Sequence, residues 1–240
     1  MKTKLLGKTH LPNKISGKKI LDRILRKDSI SKVGHDIWNN YDFLYLNQSG
    51  VPFLSIIEII IPSNSKYIIE SKSMKLYLNQ FYKKKFSTKY DVIKKIRKDI
   101  ETTIHGKVKI RFIKTFAEIP ESININSTKL INIKNKKIIE FSGFRSICPV
   151  TSQPDFANIY IYSDHKINVK WLKDYLISFS ELGEFHEQCI SDIYTHLFNK
   201  LKPNHLEVCG RFQRRGGIDI NPFRGTDKKF LHKNFRILNQ

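Results

Sequence analysis

The chain reads twice in the same order, and this repetition limits the folds open to it more than any other feature of its 240 residues. In the first half, Phe53–Ile61 and Lys66–Glu70 are β-branched strand candidates joined by the turn cluster Pro62-Ser63-Asn64. Helical stretches follow at Ser73–Tyr82 and Thr88–Thr103, then strand patterns at Lys107–Phe116 and Leu130–Phe141. The second half offers a strand at Asn158–Ser163, helices at Trp171–Phe179 and Glu184–Asn199, and strands at His205–Phe212 and Ile218–Ile220. At an offset of 97–98 residues, Val92, Ile93, Ile96 and Ile100 fall on Cys189, Ile190, Ile193 and Leu197. That spacing puts one buried face on a helix in each half. Element order and offset together predict a duplicated ββααββ module. Strands flanking a helix pair predict an α+β fold, with antiparallel sheet and both helices on one face. The expected organisation is a basic N-terminal arm over 1–30, a first module over 31–140 and a second over 141–240. Duplication further suggests a site between modules, with each half supplying different residues.

Composition supports a packed core and excludes several classes. Hydrophobic residues make up 40%, with only 11 Gly and 8 Pro, which rules out collagen-like and low-complexity chains. The longest apolar run, Ile56–Ile61, is broken by Glu58, so no membrane partner is expected. No apolar leader stands between Met1 and Lys19, and three irregularly spaced cysteines make no disulfide framework. A reducing, cytoplasmic setting is the expectation. The net charge of +21 invites a nucleic-acid reading. Lysine, however, is spread along the whole chain beside abundant Ile and Asn, the mixture that A/T-rich codons produce. The charge therefore names no specific nucleic-acid partner.

Four segments concentrate chemistry. Arg145 to Asp155 carries two prolines and little periodicity, as a site loop does, and Cys148 within it is a candidate nucleophile. Arg145, three residues before Cys148, is a cation that would favour its thiolate. Cys148 is equally readable as an inert small apolar residue, and Cys189 and Cys209 more so, since both lie in helix and strand patterns. Glu184-Phe185-His186-Glu187 opens a helix, where a histidine and a carboxylate can face a cleft. The same residues also suit an acidic first turn. Glu70-Ser71-Lys72-Ser73 leads a strand into a helix whose first N–H groups suit a phosphate, or simply cap the helix. Arg214-Arg215-Gly216-Gly217 adds two guanidinium groups and permissive backbone, which again suits a phosphate or an exposed hairpin. No second His/Cys pair accompanies His186 and Cys189, so no metal is expected. Rossmann and P-loop glycine patterns are missing.

Together these segments resemble one family, the NADPH-dependent 7-cyano-7-deazaguanine reductases, which reduce a nitrile in queuosine biosynthesis. The matching stretches are Ile69-Glu-Ser-Lys-Ser-Met-Lys-Leu-Tyr77, Cys148-Pro-Val-Thr-Ser-Gln-Pro-Asp155, Glu184-Phe-His-Glu-Gln-Cys189 and Arg214-Arg-Gly-Gly-Ile-Asp-Ile-Asn-Pro-Phe223. Weaker similarity at Gly34–Trp38 and Leu6-Gly7-Lys8 extends it over most of the chain. The resemblance is to the long, two-module form, and implies tandem tunnelling-fold (T-fold) modules and a homodimer. Residues 124–141, between the modules, look shorter than in that form. It implies Cys148 as the nucleophile that forms a thioimide with the nitrile and Asp155 as the proton donor. Ile69, Glu70, Ser71, His186 and Glu187 would bind the substrate, and Ser71, Lys72, Arg215 and Gly216 the NADPH. The competing reading from a different class is a basic RNA-binding protein on the same duplicated scaffold. A third is a metal-dependent cyclohydrolase-like T-fold enzyme, which the lack of ligand spacing disfavours.

Overall fold

The structure is a computed structural model that describes residues 16–27, 29–134 and 136–240. Its first strands are β1 (Arg23–Leu25), β2 (Val33–Leu46), β3 (Pro52–Pro62) and β4 (Tyr67–Ile69). Helices α1 (Ser71–Asn79) and α2 (Lys89–Ile104) follow, then β5 (Lys109–Ile113), β6 (Ile123–Asn124) and β7 (Asn132–Ile133). The chain continues through β8 (Lys137–Ile147), β9 (Pro154–Ser163), β10 (Ile167–Asn168), α3 (Val169–Ile177) and α4 (His186–Leu201). It ends on β11 (Leu206–Phe212), β12 (Ile218–Gly225) and a segment without regular structure. The fold is α+β with mostly antiparallel sheet. No helix among the described residues is long and apolar enough to cross a membrane.

The repeat is carried by the elements themselves. Helices α1 and α3 have 9 residues each, and α3 starts 98 residues after α1. Both run into a single 3-10 turn of 4 residues, Gln80–Lys83 and Ser178–Glu181. Helices α2 and α4 have 16 residues each, and their starts lie 97 apart. Each long helix stops at a left-handed residue, His105 (φ 54) and Lys202 (φ 48), whose N–H returns to the carbonyl of Glu101 and Phe198 respectively. The spacing of apolar residues along the two long helices therefore carried the register of the duplication.

The chain divides into two compact units, and the cuts fall elsewhere than the sequence halves. One unit takes the described residues up to Lys27, Trp38–Thr115 and Arg215–Ile218. The other takes residues 29–37, Phe116–Arg214 and Asp219–Gln240. In the first unit the strand order is β5-β3-β2, and β3 pairs antiparallel with β5 in the register Ile57↔Phe112, Ile59↔Ile110. Helix α2 buries Val92, Ile96, Ile100 and Ile104. Part of the expected arm is folded here. Ile20, Leu21 and Ile24 are buried, and β1 pairs antiparallel with β4. Its polar surroundings hid so short a strand. Residues 1–15, with Leu6-Gly7-Lys8, lie outside the described residues.

In the second unit the order is β12-β11-β9-β8-β6, antiparallel except for the β6–β8 edge. Strand alternation splits the core over two faces. Ile159, Ile161 and Val208 point with Leu172, Leu176, Ile190, Ile193 and Leu197 of α3 and α4 into one cluster. Tyr160, Tyr162 and Cys209 point to the other, which Leu231, Phe235 and Ile237 of the final segment cover. At roughly 25 cal/mol per Å² of apolar area, each fully buried side chain of this size contributes about 2 kcal/mol.

Two expectations change. The strand expected over Leu130–Phe141 is two strands, β7 and β8, separated near Lys136, which sits at φ +63. Strand β2 was not expected at all. It buries His35, Asp36, Asn39 and Asn40, so its polar residues mask the alternation by which strands are recognised.

Candidate functional site

Four of the expected residues belong to the second unit, and local backbone pairing explains how they come together. Strand β8 ends at Ile147, whose N–H donates to Leu182 O at 2.9 Å and whose carbonyl accepts from Glu184 N at 3.1 Å. The segment leading into α4 is thereby stitched to the end of β8, and the first residue after β8 is Cys148. Its loop closes on itself. Cys148 N donates to Gln153 O at 2.9 Å, and Ser152 N donates back to Cys148 O at 3.0 Å with Ser152 at φ +56. Cys148 is half-buried, while Cys189 and Cys209 are buried. Burial pushes the Cys189 thiol up to about 12 and the Cys209 thiol up to about 11, so both stay protonated at neutral pH. All three cysteines are free.

Arg145 is bonded to the turn before α4. Its guanidinium donates to the Ser180 carbonyl and, at 3.0 Å, to Glu181 Oε1.

Asp155 is the second residue of β9 and lies opposite Ser146 in the β8–β9 ladder. It is 6% exposed. His186, the first residue of α4, places Nε2 at 3.3 Å from Asp155 Oδ2. The imidazole stacks on Phe212, with ring centroids 4.0 Å apart at 14°. Its Nδ1 is buried with no hydrogen-bond partner among the described residues. A buried ring nitrogen left without a partner costs free energy, and a ligand that bonds to it relieves the cost. Glu187, 5% exposed, follows on the same helical turn. A carboxylate–imidazole pair, a half-buried thiol and a second buried carboxylate make a site for proton transfer and nucleophilic addition.

The remaining expected residues belong to the first unit. Ile69 is buried on β4, and Glu70 is the N-cap of α1. The Glu70 carboxylate accepts from Lys72 N at 2.7 Å and Ser73 N at 2.8 Å, while Ser71 Oγ donates to Oε1 at 3.4 Å. Two of the helix-start N–H groups expected to suit a phosphate are thus taken by Glu70. Arg215–Ile218 is a tight turn, with Arg215 N donating to Ile218 O at 2.8 Å. Gly216 has φ +55, and a Cβ there would stand 3.3 Å from Lys75 Cδ. Gly217 has φ +78, and its Cβ would fall 1.9 Å from Asp42 Oδ2, so Gly217 admits no side chain. Backbone with no side chains beside Lys75, with Lys72 and Arg215 in the same unit, has the donor chemistry that a dinucleotide's phosphates require. Among the described residues no group of three or more His, Cys, Asp or Glu could hold a metal ion.

Sequence reasoning missed Phe212 and Arg224. Phe212 read as one more apolar strand residue, and nothing in its neighbours announces the ring stacked on it. Arg224 follows the last matched motif by one position and is fully buried, which a cation in a sequence does not reveal.

Comparison with known proteins gives the class first. The family model described as nitrile reductase, 7-cyano-7-deazaguanine-reductase N-term, matches residues 9–112, and one described as QueF-like protein matches residues 154–230. The chain is thus of the nitrile reductase class. A relative from Buchnera aphidicola subsp. Schizaphis graminum is 41% identical over 216 residues, covering 80% of this chain and 82% of that protein. One from Coxiella burnetii is 34% identical over 228 residues, covering 86% and 82%. Both carry the name NADPH-dependent 7-cyano-7-deazaguanine reductase, and this chain belongs to that family.

Proposed function

We propose that this chain reduces 7-cyano-7-deazaguanine to 7-aminomethyl-7-deazaguanine with NADPH, through a covalent thioimide on Cys148, in the queuosine branch of tRNA modification. The observation that carries the reading is the Asp155–His186 pair at 3.3 Å, held by the same strand end that leads into Cys148. Cys148 gives up its thiol proton and its sulfur adds to the nitrile carbon. One carbon–nitrogen π bond becomes an N–H bond, and Asp155, sharing a proton with His186, supplies that proton. The thiol proton replaces the one spent, so the addition balances without a further reagent. NADPH, when bound, would supply a hydride for each of the two reductions that follow, with one proton taken up from solvent in each. Between them the carbon–sulfur bond breaks, Cys148 leaves as thiolate, and the imine that remains is reduced to the amine.

Glu187 accepts from the ring N–H and amino group of the base, a double donor edge that matches one carboxylate. His186 lines the pocket with its unpartnered Nδ1 facing the need for a ligand. Ile69, Glu70 and Ser71 complete substrate binding. Ser71, Lys72, Arg215 and Gly216 hold the cofactor. Glu187 is buried, so a base without that double donor edge would lose both charge-assisted bonds in a desolvated setting, the arrangement that gives strong discrimination.

The proposal extends to tandem T-fold modules, supported by the matched helix lengths and offset, and to a homodimer in the cytoplasm. The three free cysteines fit a reducing compartment. No specific nucleic-acid partner is proposed. The test follows NADPH oxidation at its near-ultraviolet band with the nitrile present and absent, with the amine identified by mass. Oxidation that needs the nitrile and yields two oxidised cofactors per amine is expected. Salt-resistant binding to one tRNA without such turnover would reverse the assignment in favour of RNA binding.

A further inference from the structure

Arg224 makes five hydrogen bonds within the second unit, and the family motifs stop one residue short of it. It has no exposed surface, and neither does Asp36. Its Nε donates to Ser191 Oγ at 2.9 Å, and its Nη1 to Asp36 Oδ1 and the Phe223 carbonyl, both at 2.8 Å, and to His35 O at 3.3 Å. Its Nη2 donates to the carbonyl of Glu187 at 3.3 Å. Ser191 Oγ donates to that same carbonyl at 2.8 Å. A carbonyl in a first helical turn ordinarily serves one backbone N–H. The Glu187 carbonyl also meets a guanidinium and a hydroxyl, the second itself oriented by the first.

Helix stability does not account for this arrangement. A cation near a helix N-terminus opposes the macrodipole, and a buried ion pair seldom stabilises more than an apolar pair of the same volume. The guanidinium is a planar fork whose donors have fixed directions, so it suits a place where position matters more than energy. The start of α4 also has no side-chain cap from its N-cap Phe185, so another group must fix it.

We propose that Arg224, seated on Asp36, is a positioning residue that fixes the first turn of α4 and so the direction in which Glu187 meets the base. This rests on the role given to Glu187 above. The prediction concerns aim, since a carboxylate displaced by about 1 Å loses on the order of a hundredfold in a well-oriented site.

The experiment compares the full chain with Arg224→Lys, which keeps a cation for Asp36 but lacks the fork, and with Asp36→Asn/Arg224→Met, which removes both charges together. Circular dichroism selects variants that fold. In these, KM for the nitrile should rise about 10- to 100-fold. The preference for 7-cyano-7-deazaguanine over its analogue without the exocyclic amine should fall towards that of Glu187→Gln. Alkylation of Cys148 by iodoacetamide should proceed at the wild-type rate, because its loop is held by other bonds. Amide exchange at Gln188 and Cys189, whose N–H groups bond Phe185 O, should quicken, while exchange at the far end of α4 should not. Wild-type exchange at those two amides, or undiminished base preference in a folded variant, overturns the positioning role. Undiminished preference in Glu187→Gln would instead remove the role proposed for Glu187, and the exchange data would still decide whether Arg224 fixes the turn.

Discussion

Helices α2 and α4 match in length and in their left-handed stop, yet they begin in opposite ways. Helix α2 opens on a full capping box. Thr88 Oγ1 accepts from Asp91 N at 3.1 Å, and the Asp91 carboxylate accepts from Thr88 N at 3.1 Å. Helix α4 opens on Phe185, which caps nothing with its side chain, and then presents His186 and Glu187. The positions that correspond to those two are Lys89 and Tyr90, both on the surface. One copy spends its helix start on stability. The other presents a half-buried imidazole and a buried carboxylate there, and Arg224 meets the Glu187 carbonyl.

The sharpest break in this comparison lies at the nucleophile. Val51 stands 97 residues before Cys148 and is exposed at the turn between β2 and β3. Cys148→Ala should lower kcat to below about one ten-thousandth of wild type, as loss of a covalent nucleophile does. Mixed with the nitrile and no NADPH, the wild type should gain the mass of one substrate per chain, mapped by fragmentation to Cys148. Val51→Ala should do nothing to either measurement. Cys189→Ala should keep the adduct and lose about 1 kcal/mol of stability. An adduct on Cys189 or Cys209 would remove the distinction between the copies.

Glu187 and Tyr90 make the next comparison. Glu187→Gln keeps the shape and one acceptor but loses the charge that two donors share, so KM should rise about 100-fold with kcat less affected. Tyr90→Ala should leave both constants unchanged. Equal effects at the two positions would mean that the start of α4 contributes only to folding.

How much of this was readable beforehand differs between the copies for a physical reason. The two long helices were legible because apolar stripes are a requirement of burial, and Val92, Ile96 and Ile100 could hardly read otherwise. Strand β2 was not, since a strand that buries Asp36 and Asn39 among hydrogen bonds breaks the alternation on which strand recognition depends. Cys148, Asp155, His186 and Glu187 stood out through motifs. Their assembly depends on Ile147 pairing with Leu182 and Glu184, a backbone contact that no side chain encodes. Arg224 was invisible because its partner Asp36 lies 188 positions away. The Glu70 carboxylate was legible as a site residue and, separately, as a cap. The structure shows the capping bonds.

A smaller effect is expected at Gly210, which α4 needs and α2 does not. A Cβ there would lie 2.7 Å from Phe212 Cε2 and 2.8 Å from Ile190 Cδ1. The residue 97 positions earlier is Ile113, so the first copy tolerates a large side chain where the second tolerates none. Gly210→Ala should cost about 1–3 kcal/mol, the usual range for overpacking. It should also lower kcat several-fold, because Phe212 is the ring on which His186 stacks. Ile113→Ala should lower stability with no change in kcat. Wild-type thermal stability in Gly210→Ala would show that Phe212 and Ile190 can move aside, and that α4 is less tightly seated than α2.

The smallest effect is at the capping box, and it tests the other side of the comparison. Thr88→Ala removes the acceptor of the Asp91 N–H at an exposed helix start, where water replaces much of what is lost. A cost of about 1 kcal/mol is expected, read as a lower urea midpoint with an unchanged slope. Asp91→Ala should cost a similar amount, and the double variant less than the two together, because each group bonds the other. None of the three should change kcat, KM or the adduct on Cys148. If the start of α2 serves only stability, removing its cap lowers the midpoint alone. A fall in kcat/KM larger than the loss of folded protein would place the first copy's helix start in catalysis too.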